Sequence, residues 1–302
     1  MKNLTLKQIR YFEALARHRH FGRAAEDCAV TQPALSMQIR DLEDSLGAAL
    51  IERAARQIRL TGFGEVFLAR GKEILRAVDE LEGLARAESG QLSGRLRIGV
   101  IPTVAPYLLP GIIARLGRRF PELSPQLRET VTPRLIEELT DGRLDAAVIA
   151  LPVSEPSLTE MPLFTERFVL VRPQEDAAKP VPHPEMLSQM RLLLLEEGHC
   201  FRDQALSYCG ASPGRPREML DGSTLSTLVQ MVGAGIGITL IPEMAVPVET
   251  RAAPVSVARF RDPQPHRTIG MVWRRSSPME AQLSQIAAVV REAAEGLRPA
   301  GA

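Results

Sequence analysis

Cysteine is scarce in this chain: only Cys28, Cys200 and Cys209 occur among 302 residues. That is too few for the disulfide framework of a secreted scaffold. No apolar run has membrane-spanning length, and the stretch from Lys2 through Phe12 is polar and amphipathic rather than a signal peptide. The expected compartment is therefore the reducing cytoplasm, without a membrane partner, where a disulfide is transient or regulatory. Zinc-like spacing is also missing, since His18, His20, His183, His199 and His266 do not stand with the cysteines at ligand intervals. Gly233, Gly235 and Gly237 precede an apolar strand-like run instead of following one, unlike a phosphate-cradling loop. Neither a metal nor an organic cofactor is expected.

What remains is a chain too long for one small core, so two or more units are expected. Its apolar content of 45% and charged content of 24% fit a soluble globular protein. The net charge of +1 hides a local excess: residues 1–62 carry ten Lys or Arg against seven acids, with Arg53, Arg56 and Arg59 clustered. On charge alone, a phosphate-facing surface and an ordinary solvated face are equal readings.

Leu6, Ile9, Phe12 and Leu15 recur at helical spacing, and a second short helix starts at Phe21-Gly22-Arg23-Ala24. A turn at Ala29-Val30-Thr31 leads into a third helix, with Thr31 as N-cap, Pro33 in the first turn, and Leu35, Ile39, Leu42 and Leu46 as one apolar stripe. Two short helices joined by a tight turn describe a helix-turn-helix, whose second helix offers its N-terminal residues to base edges of duplex DNA. Gln32 suits adenine, Pro33 a thymine methyl, and Ser36 a base edge or a phosphate. Arg53 and Thr61 suit phosphates, and Thr31 and Arg40 complete the expected DNA-binding set. Cys28 is expected to pack within this domain.

Gly198-His199-Cys200-Phe201-Arg202-Asp203 follows the apolar run Leu192–Leu195 and precedes a helix-like stretch ending near Cys209. Cys200 thus falls between a strand end and a helix N-terminus, where backbone amides and neighbouring His or Arg favour a reactive thiolate. If 200–209 is helical, nine rises of ~1.5 Å separate the two α-carbons by roughly 13 Å, beyond the ~7 Å a disulfide tolerates. A bridge then requires the segment to refold. Two ordinary core cysteines are the competing reading.

Between these regions, Phe67, Ile74 and Leu81 fall seven apart with Ala77 and Leu84 at the companion position, a candidate coiled-coil dimerisation helix weakened by Arg70. Ser89-Gly90-Gln91-Leu92-Ser93-Gly94 reads as a hinge. Strand-like runs at 96–100, 146–151, 168–171, 192–195, 238–241 and 268–273 then alternate with helical stretches at 107–119, 134–140, 224–234 and 278–296. This alternation argues for α/β architecture.

Ala24-Ala25-Glu26, Thr31-Gln32-Pro33-Ala34-Leu35-Ser36, Leu42-Glu43, Leu46-Gly47, Arg53 and Leu60-Thr61-Gly62-Phe63-Gly64-Glu65 resemble the winged helix-turn-helix of LysR-type transcriptional regulators. Leu50-Ile51 and Met37 depart from the family pattern; the first repacks the core and the second bears on base preference. The resemblance implies a winged helix-turn-helix domain at 1–62, a linker helix at 63–88, a hinge at 89–94 and a regulatory domain at 95–302. That regulatory domain is expected to be of periplasmic-binding-protein type. Its first subdomain would be 95–164 with 267–302, and its second 165–266.

Four stretches, 101–110, 198–209, 233–242 and 267–270, further resemble a peroxide-sensing branch of that family, although 211–216 is short and proline-rich. This implies Cys200 as the peroxide-attacking thiol, Cys209 as its disulfide partner, Arg267 as the cation favouring thiolate, and Thr103, Thr132 and His199 as hydrogen-bonding partners of peroxide. Thr103 and Thr132 serve equally as helix caps, and His266, Arg274 and Arg275 compete with Arg267. Hydrogen peroxide is the implied signal. Promoter DNA, RNA polymerase, a second copy in a dimer or tetramer, and a reductant such as glutaredoxin or thioredoxin are the implied partners. Two other readings stay open: a LysR-type regulator answering a small organic effector in the cleft, and a thiol peroxidase.

Overall fold

A computed structural model of the chain describes residues 4–52, 58–88, 92–187, 189–209 and 221–297. The chain divides into two compact units, residues 1–85 and 86–302.

In the first unit, α1 (Leu6–His18), α2 (Phe21–Asp27) and α3 (Gln32–Leu46) are followed by the antiparallel pair β1 (Ile51–Glu52) and β2 (Arg59–Leu60), and then by α4 (Gly62–Glu88). Local chemistry sets each boundary. Thr5 and Gln8 form a reciprocal capping box at the start of α1. Thr31 Oγ1 accepts from the Ala34 amide to open α3, which ends at Gly47 with φ 67°. Buried Glu43 accepts from the Leu50 and Ile51 amides at 2.8 and 3.2 Å, anchoring the β1 turn to α3. Phe12, Leu15, Leu35, Ile39, Leu42 and Leu50 fill the core.

The expected heptad of α4 divides between two jobs. Phe67 packs on this core, with its ring 5.5 Å from Phe12, and so does not sit on a free seam. Ile74, Leu81 and Leu84 remain exposed. The first turns of α4 therefore belong to the winged unit, a distinction that sequence periodicity cannot make. Of the expected hinge, residues 89–91 lie outside the described residues, and Gly94 opens the next strand.

In the second unit the order is β3 (Gly94–Val100), α5 (Ala105–Arg119), β4 (Leu123–Glu129), α6 (Thr132–Thr140), β5 (Ala146–Leu151), β6 (Leu158–Pro173), α7 (Pro184–Leu187), β7 (Leu194–Leu195) and α8 (Cys200–Tyr208). The chain continues through β8 (Asp221–Gly222), α9 (Leu225–Gly233), β9 (Thr239–Pro242), α10 (Val246–Glu249), β10 (Val255–Arg259), β11 (His266–Arg274) and α11 (Glu280–Glu295). The main sheet runs β10-β6-β11-β5-β3-β4, with β9 also paired to β6 and β7 paired separately with β8. Strand β3 is parallel to β4 and β5, whereas β11 is antiparallel to both β5 and β6.

Strand β6 is 16 residues long and serves two cores. Phe164 packs against a first core built on β3, β5, α5 and α11, whereas Phe168 to Val171 belong to a second built around β7, α8 and α9. Strand β11 returns beside it, with His266 opposite Arg167 and Ile269 opposite Phe164. Only 168–171 reads as strand in the sequence, because Thr159, Glu160, Thr165 and Glu166 interrupt the apolar pattern of the longer β6. Strands β4 and β10 were missed for a related reason: both are sheet edges with few buried side chains.

Candidate functional site

Helix α8 starts where the chain leaves β7. Gly198, at φ 93°, makes the turn in a region closed to most side chains. His199 then occupies the N-cap position, and Cys200 is the first helical residue. Cys209 is the C-cap, with its amide donating to Ala205 O at 3.1 Å. The helical geometry assumed from sequence is thus present, and all three cysteines are free thiols.

The two ends of α8 face different surroundings. Cys200 is half-buried and packs against the first core, whereas Cys209 is 1% exposed inside the second. Burial pushes the Cys209 thiol up to about 11. Arg202 fastens the first turn of α8, its Nη1 donating to Leu195 O and Asp221 Oδ1, each at 2.6 Å.

Of the sequence-predicted residues, Arg267 meets the first turn of α8 through Phe201, and Thr103 meets Arg267. On β11, period-two alternation buries Arg267 and exposes His266, which resolves the choice between neighbouring cations. Arg274 is used elsewhere, donating to Leu139 O and Leu144 O, and Arg275 is exposed. The Arg267 guanidinium lies 5.3 Å from the Phe201 ring centroid, one residue from Cys200. Its Nη1 donates to Thr103 Oγ1 at 2.7 Å and its Nη2 to Thr103 O at 3.0 Å.

Thr103 is therefore not a helix cap. The N-cap of α5 is Val104, without a side-chain cap bond. Because Thr103 Oγ1 accepts from Arg267, its own hydroxyl hydrogen remains available to donate. Thr132 is not the cap of α6 either: Val131 holds that position, and Thr132 Oγ1 is buried without a hydrogen-bond partner. A Cβ placed on Gly198 would lie 3.6 Å from Val131 Cγ2, so the turn before Cys200 packs on the residue preceding Thr132. His199 makes no cap bond, and burial lowers its pKa against the opposing effect of Glu196, leaving a neutral imidazole.

One buried residue at this site escaped the sequence analysis. Glu166 stands directly opposite Arg267 across β6 and β11 and accepts from its Nε at 2.9 Å. Its other oxygen accepts from the Met244 amide at 3.1 Å. Burial raises the Glu166 pKa, while Arg267 and the amide oppose that rise. Arg267, the cation expected to favour the thiolate, is thus half of a buried ion pair. Nothing in the sequence around Glu166 singles it out, since Glu160, Thr165 and Arg167 also interrupt the apolar pattern of β6.

In the first unit, Thr31, Gln32, Pro33 and Arg40 are exposed and Ser36 is half-buried along α3. Met37 is 58% exposed on the same helix. Arg53 lies outside the described residues. Thr61 departs from its expected phosphate role: its hydroxyl donates to Ala49 O at 2.7 Å and accepts from the Gly64 amide at 2.9 Å, closing the first turn of α4. A threonine hydroxyl has one hydrogen, and here it is spent internally.

Residues 6–65 match the bacterial regulatory helix-turn-helix proteins of the lysR family, and residues 89–295 match the LysR substrate binding domain. The chain belongs to the LysR family. A probable hydrogen peroxide-inducible genes activator of Streptomyces viridosporus is 43% identical over 97% of this chain and 95% of its own length. The DNA-binding transcriptional dual regulator OxyR of Escherichia coli is 40% identical, with 97% of each chain covered. Among solved structures, a full-length OxyR variant from Pseudomonas aeruginosa has a TM-score of 0.74 at 37% identity, covering 96% of this chain and 98% of that one. A hydrogen-peroxide-bound OxyR mutant from Corynebacterium glutamicum gives 0.66 at 34%, covering 98% and 94%.

As a LysR-family protein of OxyR type, the chain joins a winged helix-turn-helix to a two-subdomain regulatory domain of periplasmic-binding type. It is a DNA-binding transcription regulator and not an enzyme, so the thiol peroxidase reading falls. Among the described residues, no helix is long and apolar enough to cross a membrane.

Proposed function

We propose that this LysR-family protein is a peroxide-responsive activator of transcription, switched by oxidation of Cys200 and closure of a Cys200–Cys209 disulfide. The observation that carries this reading is the placement of the two thiols at opposite ends of one helix and in two separate cores. Similarity to proteins described as hydrogen peroxide-inducible activators supports it.

The Cys200 sulfur attacks one oxygen of hydrogen peroxide and the O–O bond breaks. The sulfur keeps one hydroxyl as a sulfenic acid, and the departing oxygen takes a proton and leaves as water. The Thr103 hydroxyl, the unpartnered Thr132 hydroxyl and the neutral His199 ring supply hydrogen bonds to the two oxygens, with Arg267 beside them. Cys209 then attacks the Cys200 sulfur, losing its proton, and the hydroxyl leaves as a second water. The disulfide holds the two electrons' worth of oxidation until a dithiol such as glutaredoxin or thioredoxin reverses it.

Closure cannot occur with α8 intact, because about 13 Å of helix separates the α-carbons. The helix must unwind and Cys209 must leave the second core, which turns a change at one sulfur into a rearrangement of a subdomain. In a dimer or tetramer on promoter DNA in the cytoplasm, that rearrangement re-spaces the winged domains and presents them to RNA polymerase.

The test is non-reducing mass mapping after about one equivalent of hydrogen peroxide, with promoter footprinting of the same samples. A Cys200–Cys209 bridge together with a changed footprint is expected; two thiols that stay reduced would overturn the reading. A small organic effector is the second reading, favoured by a cavity of about 710 Å³ whose lining includes Phe164, Val169, Val246, Pro247, Arg167 and Arg259. A ligand-induced rise in melting temperature in the Cys200→Ser, Cys209→Ser double variant would support that alternative.

A further inference from the structure

A guanidinium has five N–H bonds in one plane, and the surroundings of Arg267 use nearly all of them. Its Nε–H goes to Glu166 Oε2 at 2.9 Å. Of the two Nη2 hydrogens, one reaches Thr103 O at 3.0 Å, and the other faces Glu166 Oε2, 2.8 Å away. One Nη1 hydrogen goes to Thr103 Oγ1 at 2.7 Å. Among the described residues a single Nη1 hydrogen is left, pointing away from the Nη1/Nη2 edge that Thr103 occupies.

The ring of Phe201 covers the face of the same group. Glu166 therefore fixes one edge of the guanidinium, Phe201 its face, and Thr103 the neighbouring edge. Glu166 is itself fixed from behind by the Met244 amide. A carboxylate held on both oxygens, opposite an arginine whose side chain is 0% exposed, has little freedom to relax. Two adjacent N–H groups converging on one fixed carboxylate oxygen orient the cation as well as neutralising it.

We infer that Glu166 is the positioning residue of the thiol site: by clamping Arg267 it fixes how the guanidinium meets Thr103 and the Phe201 ring next to Cys200, and by balancing the arginine's charge it limits how strongly Cys200 is activated. This rests on the peroxide reading above. Glu166 touches neither sulfur nor peroxide and acts through Arg267. It also lines the cavity of about 710 Å³.

The experiment uses full-length protein carrying Cys209→Ser, so that sulfenic acid at Cys200 is the end point. Its rate of formation with hydrogen peroxide, and the pH midpoint of Cys200 alkylation, are compared for Glu166, Glu166→Asp, Glu166→Gln and Glu166→Ala backgrounds. Glu166→Gln is expected to lower the peroxide rate on the order of tenfold, the size of one misplaced hydrogen-bonding group, while moving the alkylation midpoint to lower pH because the arginine's charge is no longer balanced. Glu166→Asp keeps the charge and should restore the midpoint and part of the rate. A structural role alone would lower the melting temperature and move neither. Wild-type rate and midpoint in a folded Glu166→Gln protein would overturn the inference. If Glu166→Gln does not fold, Glu166→Asp decides alone, and an unchanged rate there overturns it. Failure of the Cys209→Ser parent to form any sulfenic acid would instead sink the peroxide reading itself.

Discussion

The two ends of α8 carry the same side chain and behave as opposites. At the N-terminal end, Cys200 is half-buried, stands at a helix start and is followed by Phe201, whose ring lies against the Arg267 guanidinium. At the C-terminal end, Cys209 is sealed among apolar side chains that hold its proton on. A sulfur becomes a sensor through access and polar company, and a resolving thiol stays silent through burial. The asymmetry allows the first oxidation to occur in the folded state while the second waits for the fold to open.

The comparison breaks most completely at Cys200. Cys200→Ser should abolish disulfide formation and every peroxide-dependent change in the footprint, with the denaturant midpoint nearly unmoved; a normal peroxide response from this variant would end the proposal. Next in size is Cys209→Ser, which should trap the sulfenic acid and also weaken the fold. A hydroxyl placed in that apolar core without a partner costs about 1–3 kcal/mol, readable as a lower urea midpoint. No loss of stability would mean that Cys209 is less deeply packed than its 1% exposure indicates.

A pH series sharpens the same contrast. Burial raises the Cys209 thiol from an ordinary 9.0 to about 11, so the unfolded chain gives up this proton first. The corresponding stability is present below about pH 9 and is lost as pH climbs toward 11, on the order of 2 kcal/mol. Relative to Cys209→Ala, the wild type should lose that much more between pH 8 and 11; parallel curves would contradict it. The smallest effect is expected at Arg202. Arg202→Met removes the bonds to Leu195 and Asp221 that fasten the first turn of α8. About 1 kcal/mol of stability should go, disulfide closure should speed up a few-fold, and the rate of sulfenic acid formation should hold. Slower closure would show that the anchored helix start helps Cys209 arrive.

Much of this was legible along the chain. The helix-turn-helix appears through Thr31, Pro33 and the Leu35-Ile39-Leu42 stripe, because capping and helical periodicity are local properties. The helix between the two cysteines was readable from Gly198 and the composition after Asp203. Less could be read where a residue's role depends on a partner far away in sequence. Thr61 precedes Gly62 in a basic region and looked free for phosphate, but its hydroxyl is engaged by Ala49 and Gly64. Phe67 fits a heptad and nevertheless packs on Phe12. Glu166 carried almost no signal, since its partner is 101 residues away.

By itself the sequence determined the family, the helix-turn-helix, the compartmental logic of three free cysteines and the identity of the thiol pair, because motif, spacing and composition are properties of neighbours on the chain. Only the tertiary structure decided that Cys200 and Cys209 belong to different cores, that Arg267 rather than His266 turns inward, and that Glu166 balances its charge. Those facts depend on the register between β6 and β11 and on which side of a helix meets which sheet. Pairings of that kind, between residues a hundred positions apart, exist only once the strands have found each other.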